Sequence, residues 1–372
     1  MQTSVFSRSL VVKYIECTLT ALAFINIYNS LIIFAVAGYD GKILNAMRVA
    51  GFFLTIVVAL FALFFPVYWH LKEKKNNTAS DSTHAVLLAI IRFWLAVMIS
   101  TYGFAKIIGA QFAKDLVTDN TLAKDLTGFK LTWFYFSYSY PFATIIALVQ
   151  LSGAILLLFR KTVFIGICLL LPVMINIVLI NIFYNISNGA ETNAILYSIG
   201  LLYLLSLFWR EIKETLKNTA KRLPATKPYG ITGQALRLAA LGFSFVIIYY
   251  MSSISTKHNR LTGKWNVESL IRDGDTIKPT DWLTDSTAWK NVYLDEYSRV
   301  TLNPNPNRID IQKSIWGRYY YDSSTHKLLL FMGLIPSDDD NFFFHVAETG
   351  ANHMVWTGDH GGKSLKIDLI KE

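Results

Sequence analysis

Charge is scarce in this chain. Of its 372 residues only 16% are Asp, Glu, Lys or Arg and 53% are hydrophobic, where a soluble globular protein carries about 25% charged residues. A chain this poor in charge belongs in a bilayer. Cysteine is rarer still. Cys17 and Cys168 both lie inside apolar runs and no CxxC occurs. A thioredoxin-like redox centre needs adjacent thiols, so it is unsupported; each cysteine reads as a small apolar filler, the alternative being a meeting of the two within the bundle. There is no nucleotide-binding loop, nucleophile elbow or haem signature, and His326, His345, His353 and His360 lack metal-ligand spacing. An enzyme working alone is therefore disfavoured, and no metal is expected. The run Asp338 to Asp340 reads as a turn after Pro336 with too few oxygen ligands for calcium.

Long apolar runs, by contrast, are abundant. Seven blocks match the about 20 apolar residues that a helix needs to cross a bilayer: Tyr14 to Ala37, Met47 to His70, Ala85 to Ile107, Phe134 to Phe159, Thr162 to Tyr184, Thr192 to Trp209 and Leu236 to Ile254. The first lacks the short core and small-residue cleavage site of a signal peptide and reads as a retained helix. Before Thr256 there are 21 Lys and Arg against 10 Asp and Glu; after it, 14 against 16. The basic excess thus lies in the membrane half, where it reports topology rather than nucleic-acid binding. Alternate connections hold 14 and 6 Lys and Arg, which predicts a bacterial inner-membrane protein with a cytoplasmic N-terminus and a periplasmic C-terminal domain. The basic link Arg210 to Gln234 reads as a helix to Arg222, stopped by Pro224, that faces the cytoplasm or contacts anionic lipid.

After Ile254 the pattern changes to short β-rich runs. Strands are expected at Lys264 to Leu270, Trp289 to Leu294, Arg299 to Leu302, Ile309 to Gln312, Gly317 to Tyr321, Lys327 to Phe331, Phe342 to Ala347, Met354 to Thr357 and Ser364 to Ile370, with hairpin links at Asp322 to Thr325 and Asp359 to Gly362. The fold class is then a polytopic α-helical membrane bundle followed by an all-β antiparallel barrel or sandwich. The domains are 1–256 and 257–372. A tether of nine residues reaches at most about 30 Å, so the β domain is expected to stay beside the membrane, over the outer mouth of the third to fifth blocks.

Polar residues inside the apolar blocks are the candidate ligand site. Arg92 and Lys106 are 14 residues apart in the third block, close to four helical turns, with Tyr102 and Gly103 beside Lys106. Gln150 lies at a depth comparable with Arg92, and Gln150 or Glu16 is its expected partner. Asn176, Asn181 and Asn185 belong to the fifth block. Asn181 and Asn185, four apart, share a face near Trp133, Tyr135, Tyr138 and Tyr140. These aromatics form an interfacial belt, or with Lys106 and the asparagines they line a pocket for a ring-bearing or lipid-like ligand.

The Arg92, Gly103 and Lys106 pattern resembles the R…G..K signature of the DoxX family. Gln150, Gly153 and the LLLFRKT run resemble that family's following helix, which usually begins with Glu. The resemblance covers roughly Ala85 to Trp209. It implies a small membrane module, in some members a quinone-linked oxidoreductase subunit and in a related animal branch an aid to receptor assembly. Gln at position 150 removes a titratable group and weakens any proton-coupled role. LTGKWNVESL, with Gly263 and Trp265, resembles the opening G-x-W strand of lipocalin-like barrels, in which the Trp closes one end. Two functions are thereby expected. One is an accessory or quinone-linked subunit that binds a hydrophobic ligand between the third and sixth blocks and works with a membrane or periplasmic redox partner. The other is a non-catalytic envelope protein that binds lipid or assists assembly of a partner.

Overall fold

The computed structural model describes residues 9–36, 41–73, 77–113, 115–220, 231–254, 260–278, 280–295, 298–332, 341–350 and 352–372. The expected turn at Asp338 to Asp340, most of the tether and the stop at Pro224 lie outside them. The chain divides into two compact units, Met1–Pro224 and Ala225–Glu372.

The first unit contains α1 (Leu10–Val36), α2 (Gly41–Glu73), α3 (Asn77–Ile107), the short α4 (Leu116–Asp119), α5 (Gly128–Tyr138), α6 (Tyr140–Leu158), α7 (Val163–Phe183), α8 (Asn188–Ser206) and α9 (Trp209–Ala220). Among the described residues, five helices are long and apolar enough to cross a membrane: α1, α2, α3, α6 and α7. Counting α8 with α9, which bend by 65° at the break between them, makes six. The seventh expected block falls in α10 (Ile231–Ile254) of the second unit. Its apolar stretch Gln234–Tyr250 is 17 residues long, at the low end of the about 17–25 that span a bilayer.

One expected helix is two. The block from Phe134 to Phe159 is apolar throughout, yet the chain breaks at Ser139, whose backbone is extended and whose hydroxyl accepts from the Phe142 amide at 3.4 Å. Pro141 then sits in the first turn of α6. An N-cap serine followed by proline starts a new helix because the capped amides need no partner inside it. The aromatic cluster from Trp133 to Tyr138 is left on α5.

The bundle is held by α3 against α6, α1 against α2 and α3, and α7 between α6 and α8. Two expected structural glycines lie at these contacts. A Cβ on Gly103 would meet Leu151 Cγ at 3.0 Å and the Ala147 carbonyl at 3.3 Å; one on Gly153 would meet Leu170 Cγ at 2.5 Å. Bare backbone at both positions allows close approach of neighbouring helices, as small residues do in membranes. The core between these helices is made by Trp94, Leu95, Ile99, Leu157, Ile167, Leu170 and Leu201, each at most 1% exposed.

The second unit carries a closed antiparallel barrel. Its strands are β1 (Gly263–Arg272), β2 (Asp275–Thr276), β3 (Asn291–Leu294), β4 (Arg299–Asn303), β5 (Ile315–Asp322), β6 (Lys327–Met332), β7 (Asn341–Gly350), β8 (His353–His360) and β9 (Lys363–Lys371). The order is β2-β1-β3-β4-β5-β6-β7-β8-β9, and β1 pairs with β9 to close eight strands. Alternation places Leu328, Leu330 and Met332 of β6 inside with Phe342, Phe344 and Val346 of β7 and Leu365, Ile367 and Leu369 of β9. Opposite β9, the register of β1 shifts between Val267 and Ser269, a bulge that adds curvature.

Expected strand Ile309 to Gln312 is a turn instead. Asp310 Oδ1 accepts from the amides of Gln312 and Lys313, both at 3.2 Å, while Asn303 Oδ1 accepts from the Asp310 amide at 3.1 Å. Side-chain bonds to local backbone displace ladder pairing there. The hairpin links fall where expected. Gly361 and Gly362, at φ +58° and +76°, join β8 to β9. After β5, Asp322 accepts from the Ser324 hydroxyl, the Thr325 hydroxyl and the Ser324 amide at 2.6, 2.7 and 2.9 Å, which pushes its carboxyl down to about 2. Trp265 is buried where β1 begins and β9 finishes. Its Nε1 donates to the Leu261 carbonyl at 2.7 Å and Lys371 lies over its ring. Gly263 precedes it at φ +146°, a value that excludes most side chains.

Candidate functional site

Lys106 lies in the last turn of α3 and is 6% exposed. Its ammonium donates to the Tyr102 carbonyl at 3.2 Å and to Gln111 Oε1 at 3.0 Å, and lies 5.6 Å from the centre of the Phe112 ring. No carboxylate lines the same pocket among the described residues. Two of the three ammonium protons are thus held by neutral acceptors.

Gln150 projects from α6 into this pocket. It is 1% exposed, and its Oε1 has no hydrogen-bond partner among the described residues. A buried acceptor left unmade costs about 1–3 kcal/mol. Asn181 of α7 joins from the far wall, 5% exposed, with Nδ2 donating to the Ala190 carbonyl at 3.4 Å. Apolar walls come from Ile146, Met174, Ile177 and Ile180, and an aromatic one from Phe112, Trp133 and Phe136. The enclosed space is about 100 Å³, smaller than the roughly 150 Å³ apolar cavity that takes benzene.

One wall has a hydrogen-bonded backing. Tyr197 of α8, 1% exposed, donates to Asn26 Oδ1 at 3.0 Å, as does Trp94 Nε1. Asn26 Nδ2 donates to Asn193 Oδ1 at 2.8 Å, and Asn193 Nδ2 to the Tyr102 hydroxyl at 3.4 Å. This network links α1, α3 and α8 and orients the two tyrosines that line the pocket. Asn26 and Asn193 are polar residues within apolar blocks, the same signal that marks Gln150, and the sequence reading passed over them.

Of the expected ligand residues, Tyr102, Lys106, Gln150 and Asn181 converge here, and four others do not. Asn176 is exposed; five residues before Asn181, it lies 140° around the helix from it. Asn185 lies beyond the end of α7 at φ +50° and is exposed, because the helix stops at Phe183 and an asparagine tolerates the left-handed step after it. It cannot share a helical face with Asn181. Tyr138, at the end of α5, is 82% exposed.

Arg92 is the fourth, and its partner is neither Gln150 nor Glu16. Its Nε donates to the Leu157 carbonyl at 2.9 Å and a terminal nitrogen to the Leu158 carbonyl at 2.7 Å. These are the last residues of α6, whose final carbonyls have no amide within the helix and form the negative end of its dipole. A guanidinium from the next helix satisfies both. Glu16 is engaged elsewhere, with Tyr203 OH and His84 Nδ1 each 2.6 Å from its Oε1. Replacing Arg92 by Leu should therefore lower stability by about 1–3 kcal/mol, the cost of unmade carbonyls, and Arg92→Lys should recover part of it. Thermal melts in detergent read both, and a leucine variant as stable as the parent would refute the capping role.

No family model matches the chain, and no solved structure matches it significantly. A search of curated proteins found YwoB of Bacillus subtilis (strain 168), an uncharacterised protein 32% identical over 137 residues, which are 37% of this chain and 84% of that one.

Proposed function

The chain belongs to the same family as YwoB, and from that premise we propose that it is an integral membrane protein whose helical unit binds a hydrophobic, ring-bearing molecule with an oxygen head group between Lys106 and Gln150. The resemblance to DoxX proteins makes a quinone, or the quinol whose hydroxyl can donate to Gln150 Oε1, the ligand class. The protein then acts as an accessory or quinone-linked subunit in a bacterial inner membrane, with a redox partner supplying the electron-transfer centre. The 14 to 6 asymmetry of Lys and Arg supports a cytoplasmic N-terminus and a β domain outside.

The observation that carries this reading is a Gln150 Oε1 unpaired among the described residues, in an apolar pocket that Lys106 lines and to which no described carboxylate contributes. Such a pairing of apolar walls with a few convergent polar groups is what a small-molecule site requires. An orphaned acceptor at 1% exposure is stabilised by a ligand that supplies its missing bond.

Mass spectrometry of the full chain purified in mild detergent should find a bound quinone or quinol, reduced about tenfold or more by Lys106→Met, since a lost charge-assisted bond is worth about 1.5–3 kcal/mol. Gln150→Leu should retain the fold and lose a smaller part of the ligand. Recovery of bound lipid without quinone would favour the envelope protein that binds lipid or assists assembly of a partner.

A further inference from the structure

Phe112 carries the pocket's most unusual backbone. It stands at φ +63°, a conformation that is an outlier for a bulky residue and persists only where its surroundings hold it. What holds it is a slot for a ring. Phe136 stacks on the Phe112 ring at 4.6 Å and 21°, Trp133 meets it edge-on at 5.1 Å and 72°, and the Lys106 ammonium lies 5.6 Å from its centre. Trp133 is itself backed by Phe129 at 4.0 Å. Three residues earlier, Gly109 is at φ +72° with open space around it, which gives the segment a pivot.

We propose that this slot takes the ring of a hydroquinone, and that Phe112 is a plug that the ligand displaces. The proposal rests on the pocket reading above and narrows it to the reduced form of the ligand. Two features select that form. A cation over a ring face favours an electron-rich ring, and a dihydroxybenzene is richer than the corresponding quinone. Gln150 Oε1 is an acceptor without a donor among the described residues, and a hydroquinone has a hydroxyl to donate whereas a quinone has only carbonyl acceptors. A slot already filled by a phenyl ring also accounts for the remaining space of about 100 Å³. With Phe112 withdrawn, its ring volume joins that space. Displacement lets residue 112 leave the left-handed conformation, so the closed state is easily opened. The fraction of molecules with the plug withdrawn scales the apparent affinity.

The test uses the full chain in nanodiscs, with decylubiquinol kept reduced under argon and decylubiquinone as probes, in the parent, Phe112→Gly, Phe112→Asn and Lys106→Met. Glycine and asparagine both tolerate a positive φ, so the second variant serves if the first does not fold. The expected result is decylubiquinol binding at least tenfold tighter than decylubiquinone, a further gain of about tenfold in Phe112→Gly or Phe112→Asn, and loss in Lys106→Met. Equal or tighter binding of the quinone, still abolished by Lys106→Met, overturns the hydroquinone slot and leaves the pocket reading intact. A preference for the quinol with no gain on removing the Phe112 ring overturns the plug. Binding of neither probe to any variant overturns the slot and the pocket reading together.

Discussion

Lys13→Met, with Glu73 retained, is expected to lower the stability of the helical unit by about 3–5 kcal/mol, the usual consequence of stripping one partner from a buried ion pair. Lys13 of α1 is 0% exposed and pairs with Glu73 of α2, itself 6% exposed. His70 Nδ1 lies 3.3 Å from the same ammonium, and the Lys13 ammonium lies 5.2 Å over the Trp69 ring. On the other side Ser80 donates to Glu73 Oε1 at 2.6 Å while accepting from Trp69 Nε1 at 2.9 Å. Methionine keeps most of the volume and none of the charge, so the Glu73 carboxylate loses the Lys13 ammonium while the Ser80 hydroxyl stays on Oε1. The double variant Lys13→Met, Glu73→Gln removes both charges and should recover most of the loss, since neutral replacement of a buried pair is often nearly free of cost. Calorimetric melts of the three proteins in one detergent decide it. A single variant within about 1 kcal/mol of the parent would mean that the pair contributes no more than a surface bridge.

Gly358→Val is expected to open the barrel. Gly358 of β8 pairs with Phe344 of β7, and a Cβ placed on it runs into the Phe343 carbonyl and crowds Phe344 Cδ1. Backbone cannot step aside as a side chain can, so the two strands must part locally. Overpacking of this kind costs on the order of 3 kcal/mol. Gly350→Ala in the same hairpin is the control, because there the nearest atom is His353 Cβ at an ordinary 3.9 Å. Limited proteolysis of the full chain should cut within residues 260–372 in the Gly358 variant and leave the Gly350 variant resistant. Equal resistance of the two would show that β7 and β8 adjust without separating.

The parts of this protein that depend on hydropathy were legible in its sequence, and those that depend on what backbone does at helix ends were not. Apolar run length located α1, α2, α3 and α7, and alternation located eight of the nine strands, because burial of one face leaves a periodic trace. Hydropathy has no term for a cap, so the break at Ser139 was invisible inside a continuous apolar run. The partners of Arg92 are hidden for a related reason: its acceptors are the backbone carbonyls of Leu157 and Leu158 and not the polar side chains of Gln150 or Glu16, and a carbonyl carries no sequence identity. Lys106, Gln150, Tyr102 and Asn181, which line one pocket, stand out in the sequence because polar atoms at membrane depth are rare. Phe112 left no trace, since nothing in an aromatic residue's type announces a left-handed backbone. The Asn185 error has the same root as the Ser139 one, a helix extended past its end.

Among the described residues of the barrel, most strand contacts join neighbours along the chain, as β3 to β4 or β8 to β9; β1 skips β2 to pair with β3, and the contact of longest range is the seam where Trp265 of β1 meets Lys371 of β9. The largest single loop-closure cost therefore falls at that seam, because local hairpins close short loops and the seam closes a long one. Assembly can proceed hairpin by hairpin as the polypeptide emerges, with β1 waiting as an open edge until residues 363–371 have been made. For that interval the nascent domain presents two unpaired strand edges to whatever else is being synthesised or exported nearby, the situation in which strands recruit the wrong partner. Once β9 is made, its Lys363, Lys366 and Lys371, with Lys264 and Arg272 on β1, place like charge on both halves of the seam before it closes. They disfavour pairing of one copy's edge with the same edge of another while the barrel is still open.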